Sequence, residues 1–144
     1  MKDQLVVVDG YRATAKDKTD LRKDPWSIAL DQRAFGPRRL LVAFADRRGR
    51  FLGLAYTRRT QPPEAALGPC LDYLGQGAAA AVAYCDEAVV HGPPPPDLAE
   101  RFATARSIAA SFGIHLVDWI ACDDQVFRST RLALHPRCRW WDVP

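Results

Sequence analysis

Two apolar runs on either side of a charged turn set the strongest limit on what this chain can fold into. Leu40 to Ala45 is rich in β-formers and apolar at every position, Asp46-Arg47-Arg48-Gly49 has turn chemistry, and Phe51 to Thr57 returns as a second run. A strand that is apolar on both faces needs cover on both sides, so the pair reads as a hairpin inside a buried sheet. With 144 residues, the chain has room for one core of ordinary size and no second domain to match it.

Helical periodicity supplies the cover. Gln61-Pro62-Pro63-Glu64 places prolines where a helix begins, and Ala65, Ala66, Leu67, Cys70, Leu71 and Leu74 follow at helical spacing as far as Gly75. Gly68-Pro69 is expected to kink or split that helix. A second helix is clearer: Leu98, Phe102, Ala105, Ala109 and Phe112 form one stripe, Asp97 stands at the N-cap with Glu100 three residues on, and Gly113 is the stop. Ahead of it, Pro93 to Pro96 favours a stiff polyproline arm. Ala79 to Tyr84 reads as a central strand of weak propensity, Ile114 to Cys122 as a further strand, and Val126-Phe127 as its partner across an Asp123-Asp124 turn. Leu5 to Val8 adds a short strand ended by Asp9-Gly10, while Tyr11 to Arg38 shows only a possible helix near Ser27 to Phe35. The expected class is a mixed α/β (α+β) domain, a mixed sheet flanked by helices, over residues 36–144, with residues 1–35 as an N-terminal extension.

Charge is uneven. Residues 1–60 hold 14 Lys+Arg against 7 Asp+Glu, a balance of +7, whereas 61–144 hold 6 against 10, a balance of −4. Arg38, Arg39, Arg47, Arg48 and Arg50 gather on the hairpin and its approach, and His135-Pro136-Arg137-Cys138-Arg139-Trp140-Trp141 sets two indoles beside arginines. These form a candidate binding surface for nucleic acid, an acidic partner or a second copy of the chain. The competing reading is a solvated edge hairpin with a charged turn, one indole packed on the sheet and its neighbour covering the edge. No apolar stretch approaches the ~18 residues of a membrane span, and the charged start reads as neither signal nor anchor. Cys70, Cys85, Cys122 and Cys138 show no paired spacing and read as reduced thiols of a cytoplasmic protein.

The run Leu41-Val42-Ala43-Phe44-Ala45-Asp46, the Pro62-Pro63-Glu64 helix start and Gly113-Ile114-His115-Leu116-Val117-Asp118 together resemble the RadC-like branch of the JAB/MPN metalloprotease superfamily. The resemblance spans roughly residues 36–130 and implies a comparable hairpin, a zinc-site strand, a long helix and a strand bearing Gly-Ile-x-Leu-x-Asp. It also implies a His-x-His pair at a strand end, an Asp ten residues beyond, and an earlier glutamate that takes a proton from the metal-bound water. Here the strand ends Tyr84-Cys85-Asp86, with Asp97 at the distance of the last ligand. Counted back from Asp118 without a gap, the positions become Cys85, Glu87 and Leu98, and neither register recovers a histidine. Gly36-Pro37-Arg38-Arg39 offers no carboxylate, Pro94 stands where the family has a serine three residues before the ligand aspartate, and Trp119 stands where histidine follows the later aspartate.

The resemblance therefore implies a degenerate site at Tyr84, Asp86 and Asp97, with no catalytic residue and no cofactor, in a domain that binds a protein partner or itself. Two alternatives remain. One is a metal-dependent hydrolase of JAMM type whose zinc site is rewired through Cys85, His91, Asp86 and Asp97. The other is a nucleic-acid-associated protein that uses the arginine-rich hairpin.

Overall fold

The computed structural model describes residues 5–8, 20–24, 39–58, 63–74, 77–87, 90, 92–123 and 126–144. The expected Asp9-Gly10 turn, the helix near Ser27 to Phe35, and Arg38 and His91 lie outside the described residues, as does the side chain of Arg39.

The elements run β1 (Leu5–Val8), β2 (Arg39–Ala45), β3 (Phe51–Arg58), a 3-10 turn (Pro63–Ala66), α1 (Leu67–Leu74), β4 (Ala80–Asp86), α2 (Leu98–Ser111), β5 (His115–Cys122), β6 (Phe127–Ser129) and α3 (Thr130–Leu134). They make a mixed α/β fold around one six-stranded sheet in the order β1-β3-β2-β4-β5-β6. Among the described strands β4 and β5 are the one parallel pair; the other neighbours are antiparallel. A parallel pair needs a long crossover, and α2 supplies it.

Both faces of the sheet are covered, which is why β2 carries no polar residue between Leu40 and Ala45. On one face Leu40, Val42, Phe44, Ala81, Ala83 and Cys85 pack under Leu67, Cys70 and Leu71 of α1 and Phe102, Ala105 and Ala109 of α2. On the other, Leu41, Ala43, Val82, Tyr84, Val117 and Ile120 meet Leu21 and the tail residues Trp140, Trp141 and Val143. The alanines of β4 are poor strand formers in isolation, and burial on both sides overrides that propensity.

Three local outcomes differ from the sequence reading. The proline-led helix splits as expected, but at Ala66/Leu67 rather than at Gly68-Pro69, so Pro69 falls in the first turn of α1, where a missing N–H costs no helical hydrogen bond. Phe112 leaves the buried stripe and is exposed beyond the end of α2, where Gly113 adopts φ 74° and Ile114 N–H donates back to the Ala109 carbonyl. In β5 the pairing to β4 jumps from Leu116 to Asp118 opposite Ala81 and Val82, a bulge that breaks strict alternation.

Candidate functional site

The carboxyl end of a parallel strand beside a helix start is where α/β sheets place their ligands, so the end of β4 is the natural place to look. Alternation along β4 sends Tyr84 into the tail-side core and Cys85 into the helix-side core. Tyr84 is fully buried, and the Cys85 thiol points to the Asp86 carbonyl at 3.5 Å. Asp97 occupies the N-cap of α2, yet its side chain makes no capping hydrogen bond and stands exposed. The Asp97 cap expected from sequence is thus present in position and absent in bonding. The described members of the proposed ligand set are not drawn together: among the described residues, no three His, Cys, Asp or Glu side chains are grouped so as to hold a metal ion.

What converges there is a different group. Glu64, from the 3-10 turn, Glu87, just past β4, and Arg101 and Leu98 of α2 line a narrow cleft with Phe102, Trp119 and Thr130. Glu64 is nearly buried, and its Oε2 takes hydrogen bonds from Arg101 Nε at 3.2 Å and pairs with Nη2 at 3.1 Å. Burial works against the charge on Arg101, and the Glu64 carboxylate outweighs it, so the guanidinium pKa stands above its ordinary value. Glu87 lies 3.7 Å from Arg128, whose Nη1 donates to the Val90 carbonyl. Thr130 is buried, and its hydroxyl has no hydrogen-bond partner among the described residues.

A second polar group lies on the tail side. Asp118 is fully buried, and its carboxylate accepts from the N–H groups of Trp119 (2.7 Å) and Arg131 (2.9 Å), from Trp140 Nε1 (2.6 Å) and from the Ser129 hydroxyl. Close by, Asp142 meets Arg106 Nη2 at 2.9 Å, Arg131 Nη1 at 2.7 Å and His115 Nε2 at 2.7 Å. Burial pushes the Asp142 carboxyl up, but the hydrogen bonds from Arg106 and His115 prevail and hold it below its ordinary value. These contacts clasp the tail to α2, β5 and α3.

The third group is the hairpin tip. Arg47 and Arg48 are exposed, Asp46 Oδ1 accepts from the N–H groups of Arg48 and Arg50 at 2.9 Å each, and Trp141 Nε1 donates to the Arg47 carbonyl at 3.0 Å. Of the two indoles, Trp140 is therefore committed to the sheet, and Trp141 reaches the arginine turn. Compared with protein families, curated proteins and solved structures, the chain matches none.

Sequence reasoning took Glu64 for a helix-opening residue and passed over Arg101, Thr130 and Asp142. A glutamate directly after two prolines was a usable signal, because the turn it opens faces the next helix. Asp142 gave none: its three partners come from three separate elements.

Proposed function

We propose that this chain is a RadC-like JAB/MPN-type domain whose metal site has degenerated, serving in the cytoplasm as a protein-binding or scaffold module. The observation that supports this most is the pairing of carboxylates with guanidinium groups at the end of β4, Glu64 with Arg101 and Glu87 with Arg128. A zinc site needs imidazole, thiolate or carboxylate donors turned to one point with a position left open. Here two fixed cations already neutralise the nearby carboxylates and would repel a divalent ion. Tyr84 is enclosed in the core, and Cys85 packs on the opposite face from it. Among the described residues, the donors near the end of β4 do not converge on one point as zinc ligation requires.

Elemental analysis of the purified chain tests this reading. The expected result is zinc well below one equivalent after dialysis, even when zinc is supplied during expression. About one tightly held zinc per chain would overturn it and restore the hydrolase.

A further inference from the structure

Five cations reach one surface from two stretches of sequence. Arg47, Arg48 and Arg50 stand on the hairpin turn, and Arg22 and Lys23 are held against it. Leu21 N–H donates to the Gly49 carbonyl at 2.7 Å, and Asp20 bridges to Arg50. Gly49 has φ 92°, and a Cβ there would stand 2.6 Å from Asp20 Oδ1 and 2.9 Å from Arg22, so the two stretches touch as closely as backbone allows. Two of these cations also pair with carboxylates of the patch: Asp46 Oδ1 holds two turn N–H groups while its Oδ2 lies 3.6 Å from Arg50 Nε, and Asp20 Oδ1 accepts from Arg22 N–H at 2.9 Å while its Oδ2 lies 3.8 Å from Arg22 Nη2. The turn is thereby stiffened while its arginine side chains project outward.

An aromatic ring joins this surface. Trp141 is only partly covered, is fixed by its bond to the Arg47 carbonyl, and lies 6.1 Å from Trp140 at 43°. Trp140 is anchored on Asp118, so the orientation of Trp141 is set from both sides. An open groove of about 620 Å³ runs from Arg47 past His115 and the Gly77 backbone to Val143. Exposed cations on a stiff turn beside an oriented ring suit a flexible polyanion with flat bases: phosphates meet the arginines, and a base stacks on the indole. An acidic peptide would use the charges and leave the ring idle.

We propose that the β2–β3 turn and Trp141 form a binding surface for single-stranded nucleic acid. This surface is separate from the β4 end, and its test does not depend on the zinc result.

Fluorescence anisotropy of a labelled 20-nucleotide oligo(dT) titrated with the full chain reads it directly. For three phosphates neutralised, affinity should fall about 20-fold between 50 and 200 mM salt. The triple variant Arg47→Ala/Arg48→Ala/Arg50→Ala should lose at least about tenfold at 50 mM salt, and Trp141→Phe should bind more weakly while keeping its circular dichroism. The arginine side chains are exposed, so the triple variant decides the matter even if a Trp141 variant unfolds. Equal binding by the triple variant would overturn the proposal. So would equal competition by polyglutamate or heparin, or capture by anionic vesicles with no oligonucleotide binding.

Discussion

Asp118 and Glu64 are both carboxylates inside the same small protein, and their surroundings differ in kind. Asp118 is fully enclosed and receives four donors from four residues, two of them backbone N–H groups. Glu64 answers to one guanidinium and faces a cleft in which the Thr130 hydroxyl has no partner among the described residues. Full satisfaction marks a group that holds the fold, since a buried acceptor is tolerated only when its hydrogen bonds are made. Partial satisfaction marks the place where packing was not the whole constraint. The first carboxylate staples the tail to the sheet; the second lines a cleft beside the start of α2.

The largest effect that would break this contrast comes from Asp118→Ala. Four donors lose their acceptor in a dry site, and the loss should reach about 3–5 kcal/mol in urea unfolding. A loss under about 1 kcal/mol would show that the tail is not held there. Thr130→Val should act in the opposite sense, because it removes a buried hydroxyl with no partner among the described residues and keeps the shape. The expected change is a gain of up to about 1 kcal/mol in the same experiment. A loss of that size would show that the hydroxyl is bonded through water and that the cleft is as complete as the tail side. The smallest effect belongs to Asp142, whose partly exposed ion pairs are worth about 1 kcal/mol or less each. Its carboxyl is held below the ordinary value, so its contribution is complete above the unfolded value near pH 4 and vanishes as pH falls through the folded one. Thermal unfolding from pH 6 to pH 3 should show that acid limb, and Asp142→Asn should flatten it.

Much of the fold was legible because it rests on local pattern. The hairpin, the α2 stripe ending at Gly113, and the β4 and β5 runs all follow from spacing and turn chemistry. The α3 helix was hidden, since five residues carry too little periodicity, although Ser129 does cap it by accepting from Leu132 N–H. The bulge in β5 was hidden too. Strict alternation would set Leu116 and Asp118 on one face, and the structure sends Leu116 toward the helices while Asp118 meets Trp140 of the tail. The candidate site was the least legible part. Motif spacing pointed to Tyr84, Asp86 and Asp97, but the cleft is assembled from residues 64, 87, 101 and 130, which only the tertiary fold makes neighbours.

The order of the sheet has one more consequence. Its outer strands, β1 with four residues and β6 with three, are the shortest of the six, while the inner ones run to seven or eight. So little bare backbone gives an incoming strand few rungs to continue the ladder, which protects the protein from growing edge to edge into aggregates. It also narrows how a partner can attach. Among the described residues strand addition has little template, which favours recognition through side chains.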